Sequence, residues 1–202
     1  MDLSKIDAVL LDMDGTLVES HAAVERAWRT WALEHGVDAD AVLAVAHGAP
    51  SHTTARHFLP GADDDTIAVA AARQLDLQYD DLADVTAAPG ALELLAALTA
   101  RSLPWAVVTS ADVRLAHARL GAAGITPPLL VTIDDIAEGK PAPDGYLHAA
   151  AALGVAPTRC LVVEDAPVGV QAGRAAGAHT AGLRGTPADL PLTSLSDLAR
   201  LI

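Results

Sequence analysis

Aromatic side chains are scarce in this chain, with one Phe, two Tyr and three Trp among 202 residues. Any core must therefore be built from Ala, Leu and Val. At 51 % hydrophobic residues the chain has enough of them, which excludes a disordered protein. Cysteine occurs once, at Cys160, so no intramolecular disulfide can form, as suits a reducing compartment. Within its apolar run Cys160 reads as a small core residue rather than a nucleophile. No apolar run is long enough to span a membrane, and no charged-then-apolar segment opens the sequence. The expectation is a soluble, cytoplasmic protein. Positive charge is short as well: 13 Lys and Arg stand against 26 Asp and Glu, for a net charge of −13 and a pI near 4.7. Phosphate backbones and anionic membranes repel such a surface, which excludes nucleic acid and membrane as partners. An anionic substrate would need local cations, such as a metal and a lysine. Only two lysines exist, Lys5 and Lys140.

A chain of this length holds one full core plus a modest insertion. The apolar run 6–11 reads as a buried strand ended by a turn signal. Helical periodicity follows, with Val24, Ala27, Trp28, Trp31 and Ala32 on one face and Gly36 as a stop. Further helices are expected at 40–47, 51–58 and 64–78, with no strand between residues 18 and 85. From Pro89 onward helix and strand alternate: helix 90–101, strand 104–109, helix 111–123, strand 129–133, helix 144–153, strand 160–164, helix 167–176 and a last strand 178–183. Such alternation implies a parallel sheet covered on both faces. The expected fold is α/β, a Rossmann-like parallel sheet core (1–16 and 86–202) with an inserted α-helical cap domain (17–85). No internal repeat is visible.

Chemistry-bearing residues cluster at expected strand ends, where open α/β sheets place ligands. The first strand delivers Asp12 and Asp14, followed by Gly15 and Thr16. Paired carboxylates there bind a hard cation through oxygen, or one attacks a substrate covalently. A polar turn, favoured by Asp-Gly, is the alternative for this stretch taken alone. The second strand ends in Thr109-Ser110, which could simply cap a helix. Lys140 follows the third in Gly-Lys-Pro-Ala-Pro-Asp and could be a surface lysine. The fourth ends in Glu164-Asp165, which could be a solvated strand end.

Taken together and in this order, these segments resemble the haloacid dehalogenase-like hydrolase superfamily. Asp12-Met-Asp14-Gly-Thr-Leu is similar to its first motif, Thr109 with Ser110 to its second, Lys140 to its third, and Glu164-Asp165-Ala-Pro-Val-Gly to its fourth. The stretch 17–85 falls where the family inserts a type 1 cap. Val24-Glu25-Arg26-Ala27-Trp28, His47-Gly48, Arg56-His57-Phe58 and Trp105-Ala-Val-Val-Thr-Ser110 carry a closer likeness to sugar and polyol phosphate phosphatases of the 2-deoxyglucose-6-phosphatase-like group.

The resemblance implies a phosphoric monoester hydrolase that uses Mg2+. Asp12 would be the nucleophile and Asp14 the acid and base. Thr109, Ser110 and Lys140 would bind the phosphoryl group. Asp12, Asp14 through its backbone carbonyl, Glu164 and Asp165 would hold the metal. His47, Ser51 and His52 in the cap would face the substrate, a small phosphorylated metabolite. The molecule is expected to be a monomer or weak homodimer. Within the family, Asp14 argues against dehalogenation. The absence of lysine from 17–85 argues against a Schiff-base phosphonate hydrolase. A β-phosphoglucomutase-like phosphotransferase is the nearest alternative, but Val24 and Ser51 stand where that enzyme has its cap histidine and arginine. A non-catalytic regulatory member is a further alternative, and no motif residue is lost to support it. Two departures remain: Glu19, where relatives usually have Asp, and Asp112, where close relatives tend to have Ser.

Overall fold

A computed structural model of the chain describes residues 2–46, 49–79 and 81–202. It divides into two compact units, one formed by residues up to Glu19 together with Thr86–Ile202, the other by Ser20–Val85. In chain order, β1 (Ala8–Leu11) and β2 (Val18–Glu19) precede four helices, α1 (His21–His35), α2 (Ala39–Ala46), α3 (Ser51–Phe58) and α4 (Asp64–Tyr79). Then come β3 (Thr86–Ala87), α5 (Ala91–Ala100), β4 (Trp105–Val108), α6 (Val113–Ala122) and β5 (Leu130–Val131). The chain closes with α7 (Asp144–Leu153), β6 (Cys160–Glu164), α8 (Pro167–Ala175), β7 (His179–Gly182), β8 (Leu190–Pro191) and α9 (Leu195–Leu201).

The larger unit is a Rossmann-like sheet of six parallel strands in the order β5-β4-β1-β6-β7-β8. β1 lies at its centre, with Leu10 in register with Ala106 on one side and Val162 on the other. Every residue of β1, β4 and β6 is buried, which is why these strands read as unbroken apolar runs. On one face Leu10, Val108 and Val162 pack with Tyr146, Ala149 and Ala172. Small residues let the helices approach closely: a β-carbon at Gly145 would fall 2.8 Å from Val108 Cγ1. That close approach fills a core almost without aromatic rings.

The smaller unit is helical among its described residues. α1 buries Ala23, Ala27, Trp28, Trp31 and Ala32, and Gly36 ends it in the left-handed conformation, at φ 66°. Trp28 and Trp31 meet edge to face at 5.3 Å between ring centroids, and the Trp31 indole donates to the Ala70 carbonyl at 2.8 Å. Both are core of this unit, as expected.

Three expectations are corrected. A short antiparallel ribbon pairs Val18 with Ala87 and Glu19 with Thr86, so a strand does occur just beyond residue 17. The strand at 179–182 is not the last: β8 adds to its edge, and α9 packs on α5. The two residues of β8 are too few for any periodicity to register. The strand expected at 129–133 is only two residues long, because Thr132 and Asp135 form a capping box that turns the chain into a short 3-10 helix at Ile133–Asp135.

Candidate active site

The site is built at the carboxyl ends of β1, β4 and β6. Asp12 directly follows β1, and its backbone N–H still donates to Val163 O at 3.0 Å, which fixes the carboxylate between the strands. The chain then turns on Gly15, whose φ of 81° is a conformation open chiefly to glycine. Asp14, two residues beyond Asp12 and bridged to Val18, stays at the same end of the sheet. From the other side of the fold Lys140 reaches in: its Nζ donates to Asp12 Oδ1 at 2.6 Å, Glu164 Oε1 at 2.7 Å and the Val108 carbonyl at 3.1 Å. Its side chain is only 9 % exposed. The Tyr146 hydroxyl donates to the same Glu164 oxygen at 2.6 Å.

Glu164 is buried, and α8 makes room for it. A β-carbon on Gly169 would lie 1.8 Å from Glu164 Oε1, so the glycine of the fourth motif is required by the neighbouring carboxylate. Asp165 is held by its backbone, whose carbonyl accepts from the Thr186 hydroxyl. The Arg184 guanidinium lies 3.8 Å from the Asp165 carboxylate, donates to Gly15 O at 3.1 Å, and pairs with Glu19 at 2.6 Å. Glu19 is therefore part of a bridge from the ribbon to the loop after β7.

Electrostatics set these groups apart. Burial pushes the Asp12 carboxyl well above the usual carboxylate range, the Glu164 charge pushes it further, and the Lys140 ammonium opposes both. Burial disfavours the Lys140 ammonium, yet the Asp12 and Glu164 carboxylates outweigh it and hold its pKa well above the ordinary value. Burial, then the Glu164 charge, raises the Tyr146 phenol, which stays a proton donor. Elsewhere, burial pushes the Cys160 thiol up to about 11, in keeping with a core residue.

Asp12, Glu164 and Asp165 each offer a carboxylate oxygen within 4.8 Å of the others. An all-oxygen set suits a hard cation such as Mg2+. Three carboxylate oxygens grouped around one buried ammonium form a donor set that fits a divalent ion. Thr109 and Ser110 line a small pocket with Lys140, Gly139 and Tyr146. The Thr109 hydroxyl accepts from Ala111 N at 3.1 Å, and β4 therefore ends in a local turn. Asp112 caps α6 by accepting from Leu115 N at 2.8 Å, which accounts for its presence as a structural cap.

The model of the haloacid dehalogenase-like hydrolases matches residues 6–177. The chain belongs to this family. Hexitol phosphatase A of Escherichia coli is 45 % identical over 94 % of this chain and 88 % of its own length. The 2-deoxyglucose-6-phosphate phosphatase 1 of Saccharomyces cerevisiae is 36 % identical over 88 % of this chain and 79 % of its own length. Among solved structures, CbbY from Rhodobacter sphaeroides in complex with phosphate aligns with a TM-score of 0.81 and 25 % identity, over 96 % of each chain.

The structure thus brings Asp12, Lys140, Glu164 and Asp165 together, with Asp14, Thr109 and Ser110 at the same end of the sheet. The three cap candidates fare differently. His47 lies outside the described residues. Ser51 gives its hydroxyl to buried Gln74 at 2.7 Å. His52 is exposed in the first turn of α3. Arg26, part of the closer likeness, forks between Asp81 and Asp84 within the helical unit. Sequence reasoning missed Tyr146, Arg184 and Arg119. Arg119 did carry a signal: it stands on the apolar face of α6 with Leu115, Ala116 and Leu120.

Proposed function

We propose that this protein is a Mg2+-dependent phosphatase of small sugar or polyol phosphate monoesters, working through an aspartyl-phosphate on Asp12 in the reducing cytoplasm. The observation that carries the reading is the Asp12 carboxylate, fixed at the end of β1 by a buried lysine and grouped with the oxygens of Glu164 and Asp165. The identity to a hexitol phosphatase and to a 2-deoxyglucose-6-phosphate phosphatase supports the substrate class. Val24 packs into the helical core and Ser51 is held by Gln74, so neither takes the place of the mutase's cap histidine or arginine.

In this reading an Asp12 oxygen attacks phosphorus and the bond to the sugar oxygen breaks. Asp14 gives its proton to the departing alkoxide. It then takes a proton from the water that attacks the phosphoenzyme, releasing inorganic phosphate and regenerating the Asp12 carboxylate. Lys140 keeps Asp12 ionised and oriented, and Glu164 with Tyr146 holds Lys140. Thr109 and backbone amides near it bind phosphoryl oxygens. Mg2+, held by Asp12, the Asp14 carbonyl and Asp165 with Glu164 in support, would neutralise charge developing on the transferring group. The helical insertion would act as the cap that selects the alcohol.

The test is phosphate release over a panel of sugar, polyol and nucleotide monophosphates with Mg2+, run beside Asp12→Asn. The best substrate should be a sugar or polyol phosphate. The Asn variant should remain folded, lose turnover and fail to trap acid-stable phosphoenzyme. Near-normal turnover by that variant would sink the mechanism, and a preference for nucleotides would sink the substrate class.

A further inference from the structure

Helix α6 carries a residue that the reaction above does not explain. Its inward face is formed by Leu115, Ala116, Arg119 and Leu120. Three of these are ordinary core residues, and the fourth is a guanidinium with a side chain only 3 % exposed. Burying an arginine is unfavourable by several kcal/mol unless it is paired with good geometry. A leucine would satisfy the packing of this helix without that penalty. The partner found there is Asp14: Arg119 Nη1 lies 2.7 Å from Asp14 Oδ2. The Asp14 side chain keeps 29 % exposure, so the guanidinium grips the carboxylate from the protein side while its outer edge faces the open end of the sheet.

We propose that Arg119 is a positioning residue for the proton transfers of Asp14: by anchoring Oδ2 from beneath, it selects the rotamer that presents the carboxyl to the leaving oxygen and later to water. The proposal rests on the reading of Asp14 as acid and base. The Asp14 side chain has two free torsions, and a proton donor must lie within about 3 Å of the atom it serves. A single anchor on one oxygen removes most of that freedom while leaving the other edge for chemistry. A planar guanidinium, itself locked in a packed helix face, does this better than a flexible ammonium. Helix α6 and Asp14 belong to the same unit.

The experiment compares native enzyme, Arg119→Met, Arg119→Lys and Asp14→Asn on substituted phenyl phosphates and on sorbitol 6-phosphate, all with Mg2+. kcat/KM is the readout, since it reports only the steps through departure of the alcohol. Esters with poor leaving groups need protonation, and 4-nitrophenyl phosphate needs little. Arg119→Met should therefore lower kcat/KM for sorbitol 6-phosphate and phenyl phosphate by on the order of 100-fold, and for 4-nitrophenyl phosphate by no more than about threefold. Its dependence on leaving-group pKa should steepen accordingly. Arg119→Lys should recover part of the slope. With 4-nitrophenyl phosphate, Arg119→Met should also show a burst of nitrophenol, because the water-activating step now limits turnover.

Equal losses on all esters, or no loss, would overturn the assignment. If Arg119→Met does not fold, Arg119→Lys carries the test, and an unchanged slope there overturns the proposal equally. Asp14→Asn separates the two readings. A steepened slope in Asp14→Asn without one in the Arg119 variants removes only the role of Arg119. An unchanged slope in Asp14→Asn removes the acid role of Asp14 and the proposal with it.

Discussion

Replacing Lys140 by methionine reads the charge balance of the site without relying on activity. The ammonium donates to Asp12, Glu164 and the Val108 carbonyl, at 2.6, 2.7 and 3.1 Å. Methionine fills much the same volume but leaves two buried carboxylates facing each other. Removing one partner of a buried pair destabilises by about 3–5 kcal/mol. For a chain of this size that corresponds to a fall in Tm of roughly 6–20 °C, at about 2–4 °C per kcal/mol. Melting should be followed by circular dichroism in a chelating buffer, so that no cation substitutes for the ammonium.

Two further signatures identify the cause. Glu164→Gln in the same chain removes one stranded charge yet still accepts from Tyr146, so the double variant should regain at least about 1 kcal/mol over Lys140→Met alone. The loss should also depend on pH. Asp12 already has a folded pKa above its ordinary 3.8, through burial first and Glu164 second, and Lys140 is what opposes that rise. Without the lysine the folded chain holds the Asp12 proton more tightly than the unfolded chain does. Stability is then fully present below about pH 4 and is lost as pH rises through the folded pKa, so Lys140→Met should be closer to native at pH 5 than at pH 8. A Tm within about 2–4 °C of native, or a loss equal at both pH values and unrelieved by Glu164→Gln, would refute this charge balance.

Mg2+ at about 100 times its Kd should raise stability by about 2.7 kcal/mol, a Tm increase of roughly 5–10 °C, and chelation should abolish turnover; full activity after exhaustive chelation would rule out the metal. Gly169→Ala should displace Glu164, whose oxygen lies 1.8 Å from the added β-carbon, and weaken that Mg2+-induced shift; an unchanged shift would show that Glu164 does not support the metal. His52→Ala should lower kcat/KM for the best sugar phosphate by about ten- to a hundredfold and leave 4-nitrophenyl phosphate nearly unaffected, whereas equal losses would point to damage of the helical unit. Ser51→Ala should act on stability instead, by about 1–3 kcal/mol, because it removes a donor to buried Gln74.

The parts of the fold that were legible in the sequence are those with a strong local signal. β6 and α7 fall on the expected residues, since an unbroken apolar run and a Pro143-Asp144 start each have one reading. β8 and α9 were not legible, because two residues of strand have no period and seven of helix barely two turns. Within the site, motif order revealed the residues at strand ends, which share one edge of a parallel sheet whatever their spacing. It could not reveal Tyr146 or Arg184, whose roles depend on which face of a helix or loop meets Glu164 and Asp165. Asp112, a departure from close relatives in sequence, has a local role as the cap of α6, its oxygen engaged by the Leu115 amide.

The chemistry of the site follows from how little positive charge it contains. Asp12, Glu164 and Asp165 oppose a single buried ammonium, the buried Arg119 guanidinium is paired with Asp14, and Arg184 divides itself between Asp165 and Glu19. Three carboxylates against one lysine leave an excess of negative charge, which a divalent cation would offset. A cluster so offset has little left over to attract a phosphate dianion in a chain of net charge −13. On the function proposed above, the phosphoryl group would then depend largely on directed neutral donors, such as the Thr109 hydroxyl and amides at the end of β4, whose strength rises as water is excluded. Directed donors demand fixed geometry, and the buried pairs supply it: Lys140 fixes the Asp12 carboxylate, and Arg119 fixes that of Asp14. In this site buried charge serves orientation more than attraction, so its loss should register in the reaction step before it registers in substrate affinity.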